Sequence, residues 1–278
     1  RHYIEWQKPR RCFMSSTTLG QRNNAIVRGV PASYTEALAV HFGAGPTDLN
    51  LAKQQHEGYT EALRQQGVNV IQIPTDDAFP DCVFVEDMAV SLGNRCFIPY
   101  PGHQTRRGEQ PAIIEELGKH LELVHMTKEG MMDGGDVLRI GDVLFIGRSK
   151  RTNDAGIAQF RTFVERDGLE LRVIDIPEHV LHLTSMCSCP NNAILLLTDG
   201  TIPAHAFGEI SGTEVIIIPA QEVRGANVIG FGNKMIVAQG YPTVTRELES
   251  RGYELLHIDT TQISAADASL TCCSVFFR

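Results

Sequence analysis

The chain has 278 residues, 42% of them hydrophobic, enough to bury a large core as one big domain or two small ones. Its formal charge of -8 argues against nucleic acid or an acidic membrane surface as the main partner, since both need a basic patch, and favours a small cationic substrate. No run of about 18 apolar residues occurs, so no transmembrane helix is expected.

In chain order, the first 23 residues are basic and mixed, with Trp6, Lys8, Pro9, Arg10 and Arg11, and lack the continuous apolar core of a secretory signal. They are expected to form a flexible N-terminal extension, with Met14 an alternative start, ahead of a single domain over residues 24–278. Helical periodicity over residues 48–66 and an apolar run over 68–73 give the first helix-strand step. Hairpins are expected over residues 88–98, 137–146, 187–197 and 228–237. They turn at Gly93-Asn94, Gly141-Asp142, Asn191-Asn192 and Gly232-Asn233, residue types that accept the positive φ of tight turns. Helical patterns over 107–120, 154–167 and 242–251 lead into strands over 121–125, 171–176 and 253–258. A turn-to-turn spacing of roughly 40 to 50 residues fits a repeat architecture, in which a ring of about five α/β units closes a core and removes sheet edges. The alternative is an ordinary mixed-sheet α/β domain. No Pro-, Gly- or Ser-rich linker divides the units.

Seven cysteines, an odd number lying mostly in apolar runs, do not look like a disulfide framework and point to a reducing compartment. Cys187-Ser-Cys189 has the wrong spacing for half a zinc site and lacks a second pair. Carboxylates and glycines cluster in Asp81-Cys-Val-Phe-Val-Glu-Asp87 and Asp133-Gly-Gly-Asp136, composing a pocket for a cation. The first of these reads as a turn and strand that turns Glu86 or Asp87 inward, where an unpaired charge is costly. Cys272 and Cys273 near the C-terminus are candidate nucleophiles; on a strand they point to opposite faces, so only one enters a site. His182, between apolar residues at the start of a hairpin, is the candidate acid/base, with Asp133 or Asp136 to orient it.

These segments, with Ser149-Lys-Arg-Thr-Asn153, Leu181-His-Leu-Thr-Ser185 and Leu270-Thr-Cys-Cys-Ser-Val275, closely resemble the dimethylarginine dimethylaminohydrolases. Those are guanidine-modifying enzymes of the pentein fold, and the motifs run in family order through nearly all of the chain after residue 24. The resemblance implies a five-bladed α/β propeller that hydrolyses methylated arginines to citrulline and an amine, without metal or organic cofactor. It makes Cys272 the nucleophile, His182 the acid/base and Asp133 the carboxylate supporting the histidine. Asp87, with Glu86 beside it, matches the guanidinium-binding position, while Asp81 and Asp267 match further substrate-binding positions. Arg106 and Arg151 match cations that hold the substrate α-carboxylate, and Leu38 falls in a mobile flap. Cys273 is expected in the core.

Two rival readings remain at this point: a deiminase of unmethylated arginine or agmatine on the same fold, and a guanidine-binding protein without catalysis. The thiol chemistry also leaves open modulation of the site by a disulfide with Cys273 or by a metal. Assembly into a homo-oligomer is not legible.

Overall fold

The computed structural model describes residues 22–278, so all but the last two residues of the expected extension lie outside the described residues. Five three-stranded sheets follow one another along the chain. Each takes its middle strand from an antiparallel neighbour, then adds a parallel strand after a crossover, as parallel pairing requires.

The second sheet joins β3 (Val90–Leu92), β4 (Arg95–Ile98) and β5 (Glu122–His125). The third joins β6 (Val137–Ile140), β7 (Val143–Arg148) and β8 (Glu170–Asp175). The fourth joins β9 (Cys187–Ser188), β10 (Ile194–Thr198) and β11 (Glu214–Ile218). The fifth joins β12 (Ile229–Phe231), β13 (Lys234–Ala238) and β14 (Glu254–Ile258). The first is made from both ends of the described chain. Its middle strand β1 (Asn24–Arg28) pairs in parallel with β2 (Asn69–Ile73) and antiparallel with β15 (Val275–Phe277).

Glycines with φ of 62°, 58° and 63° at positions 93, 141 and 232 form three of the hairpin turns as expected. In the fourth only Asn192 is left-handed, at φ 64°, and a longer loop separates a two-residue β9 from β10. The crossover helices also follow the sequence. Helix α1 (Leu49–Gln65) is capped by Asp48, which accepts the Leu51 N–H at 2.9 Å. Helix α2 (Pro111–Leu117) is shorter than the expected 107–120, since Pro111 opens it and Arg106 is drawn into a separate 3-10 turn. Helix α3 (Asp154–Glu165) is capped by Asn153, α4 (Pro242–Glu249) starts at a proline, and α5 (Thr261–Ala265) is a single extra turn. The fourth sheet has only the 3-10 turn Ala204–Phe207 in its crossover.

Apolar side chains collect between adjacent sheets. Ile98 of β4 and Ile113 of α2 meet Ile26 and Ile73 of the first sheet, while Leu92 and Phe97 meet Leu144, Ile146 and the α3 residues Phe160 and Phe163. Phe145 meets Leu195 and Leu197, and Leu196 meets Met235 and Val237. Ile229 and Ile236 then meet Ala25 and Val27. Each sheet is wedged to the next and the fifth to the first, the arrangement of a five-bladed α/β propeller. Among the described residues no helix is long and apolar enough to cross a membrane.

Two local expectations are corrected. Val83–Val85 form no strand, because residues 85–88 turn as a 3-10 helix, and Cys272 and Cys273 sit in the 3-10 turn Thr271–Cys273 and not on a strand. The cysteines still diverge, since 3-10 geometry turns successive side chains by about 120°. Cys273 packs in the core with Ile229 and Leu270.

Phe277 of β15 is buried against Ile26, Val85 and Ile113 at the ring closure. Truncating it to alanine is expected to cost about 3–5 kcal/mol in chemical denaturation, the range for a buried phenylalanine. A loss below about 1 kcal/mol would mean that β15 does not hold the ring shut.

Candidate active site

Turns from four of the five blades meet at one end of the ring and line a shared cavity. Asp81, Asp87, Arg106, Arg151, His182, Asp267, Cys272 and the flap residue Leu38 all border it. The cavity has room for about 30 Å³, enough for a water or two and far too little for an amino acid. An outer vestibule of about 570 Å³ lies beyond it, bordered by Arg151, His103, Lys150, His179 and the flap.

The histidine is held by the Asp-Gly-Gly-Asp segment. His182 Nε2 donates to Asp133 Oδ2 at 3.0 Å, which decides between Asp133 and Asp136 as its partner. Asp136 works one residue away, accepting the Leu183 N–H at 3.0 Å and the Ser149 and Thr152 hydroxyls at 2.6 Å. The glycines are required by proximity. A Cβ on Gly135 would stand 2.8 Å from both His182 Nδ1 and Asp87 Oδ1, and one on Gly134 would stand 2.1 Å from the Glu86 carbonyl.

Asp133 also accepts Arg151 Nη1 at 3.2 Å and the Gly102 N–H at 2.7 Å. Burial alone would raise this carboxyl, but the His182 hydrogen bond and the Arg151 charge hold it below its ordinary value. Burial likewise opposes the His182 charge, yet Asp87, 3.7 Å from Nδ1, together with Asp133 and Asp136, pushes it up to about 9. At neutral pH the pair is an imidazolium beside a carboxylate. With its folded value above 6.5, His182 contributes stability that is full below that pH and is lost as pH rises through about 9.

Cys272 opens partly onto the cavity, and its Sγ accepts the Ser269 N–H at 3.4 Å. Burial, then the Glu86 and Asp87 charges, hold its thiol well above the ordinary value, so the empty site keeps a thiol. Its turn is pinned by Asn227, whose side chain accepts the Thr271 N–H and donates to the Thr271 hydroxyl and the Thr184 carbonyl, each at 3.0 Å. Sequence reasoning missed Asn227, for which a polar residue heading an apolar strand is the only signal. It also missed Glu109, three residues after Arg106.

Three expected substrate contacts fall differently. Glu86 borders a second cavity on the opposite face of the ring and not the one containing Cys272. The 3-10 turn at residues 85–88 is the cause, for it sends Glu86 and Asp87 in different directions. Arg106 borders the cavity, but it is paired with Asp87 and Glu109 and donates to the Phe84 carbonyl at 2.8 Å. Of its five N–H bonds, only one on Nη1 has no partner among the described residues, so most of Arg106 serves to hold Asp87. Asp267, itself left-handed at φ 60°, spends both oxygens on the flap. It accepts the Val40, His41 and Phe42 N–H groups at 2.6, 2.8 and 2.6 Å and that of Gly43 as well. Asp81 accepts the Leu38 N–H at 3.1 Å, so two of the expected substrate ligands close the flap in this state.

A match to the family described as "N,N dimethylarginine dimethylhydrolase, eukaryotic" spans residues 46–274. The chain belongs to the dimethylarginine dimethylaminohydrolase family. A family member from Streptomyces coelicolor is 33% identical over 258 residues, covering 91% of this chain and 96% of the relative. One from Pseudomonas aeruginosa is 31% identical, with coverages of 84% and 91%. The solved P. aeruginosa structure, a cysteine-to-serine mutant complexed with citrulline, superimposes with a TM-score of 0.82 at 30% identity over 92% of this chain and 99% of that one. A histidine-to-glycine variant of a dimethylarginine dimethylaminohydrolase, bearing an S-methyl-L-thiocitrulline adduct, gives 0.84 with 30% identity, covering 92% of this chain and 100% of that one. The family match includes every expected site residue except Leu38.

Among the described residues, Asp87, Asp133 and His182 form the one acidic and histidine grouping compact enough for a metal. Its oxygens already accept from Arg106, Arg151, Gly102 and Gly135, and its imidazole carries a proton, so the donor set suits a charge network better than an ion.

Replacing Asp133 by asparagine removes the charge and the strong acceptor that favour the imidazolium. The basic limb of the pH–rate profile is then expected to move to lower pH, and an unmoved limb would mean that His182 is not the acid. Asp267→Asn weakens the flap anchors while tolerating the left-handed backbone. Amide exchange of residues 40–43 is expected to speed up at least about tenfold, the loss of about 1.4 kcal/mol of local stability. Unchanged exchange would show that other contacts hold the flap.

Proposed function

We propose that this chain hydrolyses Nω-methylated arginines to citrulline and methylamine or dimethylamine through a covalent thiouronium on Cys272. The observation that carries this reading is the convergence of a thiol, a protonated histidine paired with a buried carboxylate, and a second carboxylate, Asp87, in one closed cavity. Family membership supplies the substrate class, and the relatives' citrulline complex and thiocitrulline adduct fit the same chemistry.

A guanidinium is a planar, resonance-stabilised cation and a poor electrophile, so it must be fixed with its central carbon open to sulfur. Asp87, oriented by Arg106 and the Gly135 N–H, is the carboxylate for that plane. Arg151 keeps Nε and Nη2 free of partners among the described residues and borders both cavity and vestibule, which suits it to the α-carboxylate. The one remaining Nη1 hydrogen of Arg106 is a further donor.

Attack by the Cys272 thiolate gives a tetrahedral adduct. Nε2 of His182 is committed to Asp133, so Nδ1 faces the reacting groups. It protonates the departing amine, the C–N bond breaks, and the thiouronium remains. The neutral imidazole then takes a proton from water as the hydroxide adds, the C–S bond breaks, and citrulline leaves. The substrate's own charge stabilises the thiolate that the empty site disfavours. No step calls for a metal or organic cofactor. Residues 24–278 act as a single catalytic domain, a reading supported by the β15–β1 closure, and the free cysteines among the described residues suit the cytoplasm.

Citrulline formation from asymmetric dimethylarginine, monomethylarginine, arginine and agmatine tests this reading. Turnover of the methylated substrates alone, lost in Cys272→Ser, is the expected result. Preferred turnover of arginine with ammonia release would make the protein a deiminase, and no turnover by folded protein would leave a binding role. Arg151→Ala is expected to raise KM at least about tenfold, the loss of one charge-assisted contact, and an unchanged KM would end its assigned role.

A further inference from the structure

Every blade is entered through a 3-10 turn. The turns are Val85–Met88, Gly134–Asp136, Leu183–Ser185, Ala220–Ala226 and Thr271–Cys273, and they lie shortly before β3, β6, β9, β12 and β15. Hydrogen bonds join these turns, or the residue next to them, into a closed circuit. The Gly135 N–H donates to Asp87 at 3.1 Å, and the Thr184 hydroxyl donates to the Gly135 carbonyl at 2.8 Å. Asn227 Nδ2 donates to the Thr184 carbonyl, and Asn227 Oδ1 accepts the Thr271 N–H, each at 3.0 Å. The Thr271 hydroxyl then donates to Glu86, the chain neighbour of Asp87, at 3.0 Å.

Two successive links of this circuit come from one side chain. Thr184 lies two residues past His182 and Thr271 one residue before Cys272, so Asn227 ties the turn of the acid/base to the turn of the nucleophile. Its amide is fully used, since Nδ2 also donates to the Thr271 hydroxyl at 3.0 Å. Asn227 is completely buried, and the backbone on both sides of it is held by Ser188. That hydroxyl donates to the Ala226 carbonyl at 2.6 Å and accepts the Val228 N–H at 3.0 Å. The lining of the front cavity includes His182 and Cys272 but not Asn227.

We propose that Asn227 is a positioning residue of the reaction, setting the separation of the Cys272 sulfur from the His182 imidazole through the two turns it joins. The assignment rests on the roles given to Cys272 and His182 above. Sulfur has to reach the guanidinium carbon while Nδ1 meets the departing nitrogen of the same group, so the two side chains need one fixed spacing. They belong to different blades, and among the described residues no hydrogen bond joins them directly. An amide suits the tie because it does not titrate, so its bonds persist as the imidazole, the thiol and the substrate change charge.

The test compares kcat and KM for asymmetric dimethylarginine, together with single-turnover formation of the Cys272 adduct. Asn227→Ala is expected to lower kcat and adduct formation at least about tenfold, toward the roughly hundredfold that a misplacement of about 1 Å costs, while KM changes less than about threefold. Asn227→Ser keeps a neutral donor and acceptor and is expected to recover part of the rate. A residue that serves stability alone would lower Tm and leave kcat intact. If Asn227→Ala does not fold, Asn227→Ser and Thr184→Val carry the test. Each is expected to lower kcat, and together they should lose less than the product of their separate losses, because both loosen the His182 turn. An unchanged kcat in the folded variants, a KM that rises as far as kcat falls, or fully independent losses in the double variant would overturn the assignment. Wild-type protein that turns over neither methylated arginines, arginine nor agmatine would overturn the activity reading itself, and this assignment with it.

Discussion

The pairing of β15 with β1 is the contact on which the site depends. Three consecutive residues of the last strand lie against the first, and the turn that carries Cys272 ends one residue, Ser274, before them. Closing the ring therefore brings residue 272 against residues 86 and 87, which are distant in sequence. The Thr271 hydroxyl on Glu86 and the Asn227 side chain on Thr271 bind this turn to the second and fifth blades. A nucleophile beside the closure strand is positioned by the whole propeller, since each of the wedges between blades must form before the ends can meet.

The electrostatics follow from what this closure buries. Asp81, Asp87 and Asp267, with Asp133 and Glu109 behind them, share the site with Arg106, Arg151 and the His182 imidazolium, so carboxylates outnumber cations. Burying charge is costly even when it is paired, and such pairs give weak evidence for stability. Here they give position. Arg106 fixes Asp87 from behind, and Asp133 fixes the histidine while it joins Arg151. The unmatched negative charge is what a guanidinium would neutralise. The same charge holds the Cys272 proton in place while the site is empty, which links activation of the thiol to arrival of a cation.

Much of this was legible in the sequence, for physical reasons. Gly93, Gly141 and Gly232 marked hairpins because their turns need positive φ, and helical periodicity marked the helices near residues 48–66 and 154–167. Those local rules gave the repeat, and the resemblance of the motifs gave the residues of the site. Direction was harder to read. Glu86 and Asp87 are neighbours in the chain, but a 3-10 turn sends them to opposite faces of the ring, a distinction that periodicity does not carry. Asp267 and Arg106 were assigned to the ligand by the resemblance of their motifs. Asp267 instead meets backbone donors of the flap, and Arg106 meets the carboxylates of Asp87 and Glu109. Asn227 was missed because its partners lie 43 and 44 residues away, and a polar residue heading an apolar strand does not name them.

The closed flap sets a further condition on catalysis. With room for about 30 Å³, the front cavity cannot admit an amino acid until residues 38–43 move, and both Asp81 and Asp267 hold them down. An ionised carboxylate that accepts four backbone N–H groups makes a strong anchor, but every one of those bonds can be replaced by water when the loop lifts. Opening therefore exchanges hydrogen bonds and exposes little apolar core, a change suited to repeated cycling. Closure in turn separates the reacting groups from bulk solvent, which strengthens the attraction between Asp87 and a bound cation.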